Sequence, residues 1–316
     1  MPGKAIQIDV LIIGASASGL MCAIEAAKRG RKVTVLDHVN KPGKKILMSG
    51  GGRCNFTNYH VSAENYISHN PHFCKSALSR YTQWDFLALV NQYQIPFHER
   101  SHGQLFCNES AQDILNMLLS ECEKNAVTIK LKTEITSVKK LDNDNFQIET
   151  QATDYTCQSL VIATGGLSIP KMCATPLGYK IAEQFDIKVW PTTAGLVAFT
   201  LQPEEKERFS PLSGIAIESV VSNQRISFRE NILYTHRGLS GPAILQISSY
   251  WQPGESISIN LLPDLNLVEV LKEAQQQHPQ QQLKNCLAHH LPKRVIDALV
   301  KGPLSDRALQ TLSHKE

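Results

Sequence analysis

The chain has eight cysteines, at positions 22, 54, 74, 107, 122, 157, 173 and 286, but no Cys-x-x-Cys pair and no Cys/His cluster at zinc spacing. Scattered cysteines of this kind suit a reducing, cytoplasmic setting, and no metal site is expected. A membrane-length apolar run is also missing. The nearest candidate is residues 10–27, which Asp9 precedes and Gly14, Ser16 and Ser18 interrupt, so secretion and membrane insertion are set aside. There is no internal repeat, no arginine-rich tract, no RNA-recognition motif and no interleaved aromatic patch. The glutamine-rich stretch at 275–282 is too short to count as low complexity.

Net charge is nearly absent as well: the formal +3 is too small to identify a partner. Its distribution is uneven, however. The first sixty residues hold nine Lys and Arg against Asp9, Glu25 and Asp37, a surplus of six, and the remainder carries a deficit of three. Such a basic end fits a diphosphate cofactor or a polyanionic substrate, although a solvated surface accounts equally well for Lys28 to Lys32. At 316 residues the chain accommodates about two domains.

Residues 9–37 carry a complete dinucleotide-binding pattern. An apolar strand runs from Asp9 to Gly14, a tight turn from Gly14 to Gly19, a helical run from Leu20 to Lys28, and a second strand from Lys32 to Asp37. Gly14 supplies the turn and Gly19 lets the helix pack close to the strand. At the middle position, where glycine normally lets the backbone reach a pyrophosphate, stands Ser16; its hydroxymethyl group must point away from the pyrophosphate or hydrogen-bond to it. Asp37 is placed to accept hydrogen bonds from an adenosine ribose. A strand-to-helix turn without a ligand is the competing account of the turn alone.

Directly behind this unit lies KPGKKILMSGGGRCNFTN, residues 41–58, with three consecutive glycines, three lysines and an arginine. Backbone without side chains, flanked by positive charge, suits close approach to a planar, phosphate-bearing cofactor. Helix-like spacing follows at 73–80, 84–92 and 111–125, and strands at 127–131, 134–141, 146–150 and 159–163. At Pro191 the texture changes to short β-branched runs, 196–201, 215–221 and 257–262. Helices return at 267–277, 281–289, 293–301 and 305–312.

These motifs, together with Asn70-Pro-His-Phe73, Gly103-Gln-Leu-Phe106, Ala163-Thr-Gly-Gly-Leu-Ser-Ile-Pro170 and Thr235-His-Arg-Gly-Leu-Ser-Gly-Pro242, resemble the HI0933-like (BaiN/YhiN-like) family of bacterial flavoproteins over essentially the whole chain. The resemblance implies an α/β fold: a Rossmann-like FAD-binding domain of the two-dinucleotide-binding-domain type at 1–190, and a β-rich then helical insert or substrate domain at 191–316. The family closes its FAD domain with a Gly-Gly-Tyr-Asn-containing segment that does not occur before Glu316, so the expectation is a truncated member with an exposed sheet edge, lowered stability and an incomplete FAD site.

The resemblance assigns cofactor contacts to Gly14, Ala15, Ser16, Ser18, Gly19, Asp37, His38, Lys45, Ser49, Gly51, Gly52, Arg53, Cys54, Ile135, Thr164 and Gly165, and chemistry to Arg53, Cys54, Asn55, His236 and Arg237. Arg53 would bind phosphate or stabilise negative charge on a reduced ring, and Asn55 would hydrogen-bond to its edge. Cys54 is either a thiol activated by Arg53 or a small buried packing residue. His236 and Arg237, in a compact polar turn entering a helix, would hold an anionic or carbonyl-bearing substrate; the competing account is an N-capped helix with Pro242 in its first turn. Similarly, the turn at 163–166 is either a dinucleotide contact or an ordinary strand end. His98, His102, His289 and His290 read as surface residues.

The implied activity is FAD-dependent reduction of an activated carbon–carbon double bond, with NAD(P)H as donor and a small-molecule or RNA-borne conjugated substrate. Uridine of ribosomal RNA, giving dihydrouridine, is one such substrate, and the basic first sixty residues lean toward it. Two further classes remain open: a truncated, non-catalytic nucleotide- or RNA-binding protein, and a flavin-free NAD-dependent dehydrogenase.

Overall fold

Apolar alternation on both faces of one strand organises the first half of the molecule. In the computed structural model, which describes residues 5–300 and 302–313, strand β1 (Ile6–Ile13) sends Leu11 and Ile13 into a cluster with Tyr155 and Cys157, and Ile12 into a separate cluster with Ala23 and Val33. A strand buried on both faces belongs in the middle of a layered α/β sheet. The chain divides into two units, Met1–Trp190 and Pro191–Glu316.

In the first unit, β1 leads into α1 (Ala17–Lys28) and β2 (Val33–Leu36). After α2 (Lys44–Met48) come β3 (Asn55–Asn58), α3 (Lys75–Arg80), α4 (Gln83–Gln92), β4 (Phe97–Glu99), β5 (Gln104–Cys107) and α5 (Ala111–Lys124). Strands β6 (Thr128–Lys130), β7 (Ile135–Lys140), β8 (Phe146–Thr150), β9 (Tyr155–Ile162) and helix α6 (Leu177–Gln184) complete the unit. The main sheet has the order β6-β2-β1-β9-β8-β7, parallel from β6 to β9 and antiparallel from β9 through β8 to β7. Strands β3, β5 and β4 form a separate antiparallel sheet in that order.

Helix α5 begins where Ser110 Oγ accepts from the Gln112 N–H at 3.1 Å. Its stripe of Ile114, Leu115, Leu118 and Cys122 packs with Leu20 and Ile24 of α1. Helix α6 contributes Ile181 to the Leu11–Tyr155 cluster, so helices cover both faces of the sheet.

The second unit opens with β10 (Phe199–Thr200) and α7 (Pro203–Phe209), followed by β11 (Ala216–Ser222), β12 (Ser227–Tyr234), β13 (Gly238–Ser240), α8 (Pro242–Ser248) and β14 (Ser258–Asn260). Its antiparallel sheet has the order β10-β13-β12-β11-β14. Ala243, Ile244 and Ile247 of α8 pack on Val221, Ile232 and Tyr234. Helices α9 (Leu267–Gln277), α10 (Leu283–Leu287) and α11 (Lys293–Leu299) follow, with Leu283, Cys286, Leu287, Ile296 and Leu309 in one cluster.

Two expectations are corrected here. The helix expected over 305–312 is a pair of 3-10 turns, Gly302–Asp306 and Leu309–Thr311, because Arg307 and Ala308 are drawn extended against Gln282 and Leu283. Residues 314–316 and 301, included in the expected helical tail and the preceding helix, lie outside the described residues. The turn at Thr235 does not run straight into a helix either: it joins β12 to β13, pairing Leu233 with Ser240 and Tyr234 with Leu239, and α8 starts only afterwards.

Candidate dinucleotide site

The turn after β1 is built by close approach. A Cβ on Gly14, whose φ is +117°, would stand 2.3 Å from the Ala163 carbonyl oxygen, and one on Gly19 would stand 1.8 Å from the Gly14 oxygen. Only glycine lets the first turn of α1 press on the strand end while β1 touches the 163–165 turn. Ser16 is the N-cap of α1, half-buried, with an extended backbone and no side-chain capping bond. The first-turn N–H groups of this 12-residue helix therefore have no side-chain cap and remain available to an anion, as does the Ser16 hydroxyl.

Asp37, just past β2, locks the same turn. Its Oδ2 accepts from the Ala15 N–H at 2.7 Å, and its Oδ1 accepts from the Val39 N–H at 3.1 Å, with His38 Nδ1 3.4 Å away. A carboxylate has about four acceptor sites, so capacity remains for ribose hydroxyls. The locking role was not legible in the sequence, where no signal announces a side-chain bond across 22 residues.

A cavity of about 540 Å³ opens beside these groups, within the range of about 300–1,000 Å³ typical of ligand sites. Of the expected cofactor residues, Gly14, Ala15, Ser16, Ser18, Asp37, His38, Lys45, Ile135, Thr164 and Gly165 line it. Gly19 lies beneath the turn rather than in the lining. Lys41, Lys44 and Lys180 add positive charge that the sequence reading did not assign to the site, although the first two stand in the highlighted 41–58 segment. That segment is tied to the turn by the Gly43 N–H, which donates to the Ala15 oxygen at 2.9 Å. Lys45 Nζ donates to the Gly166 oxygen at 2.9 Å and to Ser168 Oγ at 3.2 Å, so it fixes the 163–168 turn.

Ser49, Gly51, Gly52, Arg53, Cys54 and Asn55 do not line this cavity. Gly50, Gly51 and Gly52 have φ of +58°, +67° and +88°, with open space around Gly51 and Gly52. Ser49 Oγ donates to the Ile46 oxygen at 2.7 Å. Arg53 and Asn55 are exposed, whereas Cys54 is only 6 % exposed, sits in the α1–α5 cluster, and has its thiol pushed up by burial. A nucleophilic thiolate requires the opposite environment, so the surroundings of Cys54 match the packing alternative. His236 and Arg237 are exposed at the β12–β13 turn of the second unit, where Thr235 N donates to the Gly238 oxygen at 2.8 Å. Among the described residues no cluster of three His, Cys, Asp or Glu is arranged for a metal ion, and no helix is long and apolar enough to cross a membrane.

The parallel sheet, glycine turn, uncapped helix start and acid at the end of β2 define a dinucleotide-binding protein of Rossmann type. The chain belongs to the HI0933-like family: residues 8–206 match the HI0933-like protein Rossmann domain, and residues 193–316 the HI0933-like protein barrel and H2TH domain. It is 54 % identical over 312 residues to a ribosomal RNA dihydrouridine synthase of Escherichia coli, covering 98 % of this chain and 78 % of that protein. A protein of the same name from Haemophilus influenzae is 48 % identical, covering 96 % and 77 %. A 3-dehydro-bile acid delta(4,6)-reductase of Clostridium scindens is 24 % identical, covering 83 % and 66 %. Among solved structures, a 3-ketosteroid-delta4-(5alpha)-dehydrogenase from Rhodococcus jostii is similar over 51 % of this chain and 46 % of its own, at 15 % identity and a TM-score of 0.37.

Proposed function

We propose that the chain is an FAD-dependent oxidoreductase that reduces the carbon–carbon double bond of uridine in ribosomal RNA, with NAD(P)H as electron donor. The observation that carries this reading is the first unit's cavity, where the start of α1, the Asp37 carboxylate and the 163–165 turn converge. Its substrate follows from the ribosomal RNA dihydrouridine synthases, to which the chain is 54 % and 48 % identical.

The residues fit the cofactor. The uncapped start of α1 and the Ser16 hydroxyl would hold a pyrophosphate, and the Lys41, Lys44 and Lys45 charges would balance it. Asp37 would accept from the ribose, and the backbone at Ile135 would meet the adenine. The group's chemistry, when bound, would be hydride delivery to one carbon of the double bond, with the electron pair drawn from NAD(P)H and the proton for the other carbon from solvent. Gly51, Gly52, Arg53 and Asn55 lie outside the cavity lining; the open backbone at the two glycines would let a planar ring approach, Arg53 would offer it positive charge, and Asn55 an amide for its edge. His236 and Arg237 present an imidazole and a guanidinium suited to an anionic or carbonyl-bearing substrate.

The test is to load the purified chain with FAD, desalt it, record its visible spectrum and add NAD(P)H. Flavin bands that survive desalting and bleach with the nucleotide support the reading; a colourless protein contradicts it.

A further inference from the structure

Outside the cavity, the three-stranded sheet of the first unit carries a cation with a fixed orientation and no acidic partner among the described residues. Strands β4 and β5 pair His98 with Phe106, and β3 and β5 pair Asn55 with Phe106, so the three residues are cross-strand neighbours. The Arg100 guanidinium carbon lies 4.1 Å from the Phe106 ring centroid, and the His98 ring stacks on the same phenyl at 6.2 Å. Arg100 Nε donates to His98 Nε2 at 3.2 Å, and His98 Nδ1 faces Asn108 Oδ1 at 2.8 Å. Because arginine can only donate, Nε2 must be the acceptor and the ring proton must be on Nδ1, pointing at Asn108. This chain of contacts leaves the two terminal amino groups of Arg100 with no hydrogen bond or ion pair among the described residues.

The turn after β4 joins this cation to an aromatic platform. The Tyr59 N–H donates to the Gly103 oxygen at 2.9 Å, and Gln83 Nε2 donates to the Tyr59 oxygen at 3.0 Å. Tyr59 stacks on Trp84 with centroids 5.5 Å apart and planes inclined by 24°, while Trp84 remains 57 % exposed. An indole backed by a tyrosine and more than half exposed offers a base-stacking surface. A planar guanidinium fork with free donors matches the two oxygens of a phosphodiester.

We propose that Arg100 and Trp84 form a binding site for single-stranded RNA, with Arg100 taking a backbone phosphate and Trp84 an unstacked base. His98 and Phe106 act as positioning residues for Arg100, and Tyr59 for Trp84. This inference rests on the ribosomal RNA reading above and adds the surface that holds the strand. The cluster is invisible as a motif because it draws on β3, α4 and the β4–β5 turn, which lie far apart in the chain.

The test is the affinity of the full, FAD-loaded chain for transcribed ribosomal RNA as a function of salt. Arg100→Gln is expected to weaken binding about tenfold and to reduce the slope of log affinity against log salt by about 0.7, the value for one single-strand phosphate. Arg100→Lys keeps the slope and loses part of the affinity. Trp84→Ala weakens binding about tenfold with the slope unchanged, since stacking releases no counterion. All three variants are expected to retain flavin and a cooperative unfolding transition, its midpoint lowered only slightly by the weakened Phe106 and Tyr59 ring contacts. Wild-type binding that survives Arg100→Gln and Trp84→Ala, in both affinity and slope, overturns this site while leaving the activity reading intact. A wild-type chain that reduces free uridine compounds but does not bind the RNA overturns both the site and the RNA substrate.

Discussion

The Ala15 N–H donates to Asp37 Oδ2 at 2.7 Å, joining the turn after β1 to the end of β2. The carboxylate that faces the cavity therefore also holds the cavity's wall in shape. Asp37→Asn keeps one side-chain oxygen and loses the charge, so one of the two backbone N–H groups retains only a neutral acceptor and the other loses its acceptor altogether. A hydrogen bond to a charged group is worth about 1.5–3 kcal/mol, so flavin affinity is expected to fall about 10- to 100-fold. Titration of the apo-protein with FAD, followed by fluorescence, measures it.

Gly19→Ala places a methyl group 1.8 Å from the Gly14 oxygen. Neither α1 nor the β1 turn can yield without opening the cavity, so both stability and flavin retention fall, the former by about 2 kcal/mol or more. Urea unfolding of the variant with and without FAD separates the two losses: the stabilisation that FAD confers on the wild type should largely vanish.

How far the sequence anticipated the structure depends on how local the signal is. The β1–turn–α1–β2 unit was legible because its periodicities and glycines are contiguous, and helix 267–277 and strand 146–150 were anticipated at their observed limits. The sheet of β3, β5 and β4 was not foreseen, since each strand has three or four residues and its partners are distant in the chain. Strand β12 also escaped notice, because Arg229-Glu230-Asn231 and Ile232-Leu233-Tyr234 break the alternation of residue types although burial alternates along Ser227–Tyr234. Within the site, the residue types were readable and the bonds were not: nothing in KPGKKI says that Lys45 reaches Gly166, or that Gly43 reaches Ala15.

Cys54 provides a sharp test of chemistry against packing. With its thiol buried and pushed up, Cys54→Ala is expected to cost about 1 kcal/mol of stability and to leave turnover within a few-fold of wild type. Steady-state kinetics with thermal unfolding on the same preparation checks both. A loss of turnover by several orders of magnitude in a folded, flavin-bound variant would restore the thiol to the mechanism.

Glu121 sets part of the acid stability of the first unit. The Tyr93 hydroxyl donates to its Oε1 at 2.6 Å, and Lys124 Nζ approaches the same oxygen at 3.1 Å. The tyrosine hydrogen bond, helped by Lys124 and Lys28, holds this buried carboxyl below its ordinary value of 4.5. A depressed carboxylate stabilises the fold at pH above its unfolded pKa, and that contribution is lost as pH falls through the lower folded value. Glu121→Gln is therefore expected to destabilise the chain by about 1–3 kcal/mol at pH 7 and by progressively less below about pH 4.5. Urea midpoints measured across pH 3–7 reveal the converging curves.

Incubating the FAD-loaded chain with NAD(P)H and unmodified ribosomal RNA, then digesting the RNA to nucleosides and weighing them, decides whether the chain reduces uridine. Dihydrouridine, heavier than uridine by two hydrogens, is expected only when chain, nucleotide and flavin are all present. Unaltered uridine, from a protein that retains flavin and binds the RNA, would contradict it.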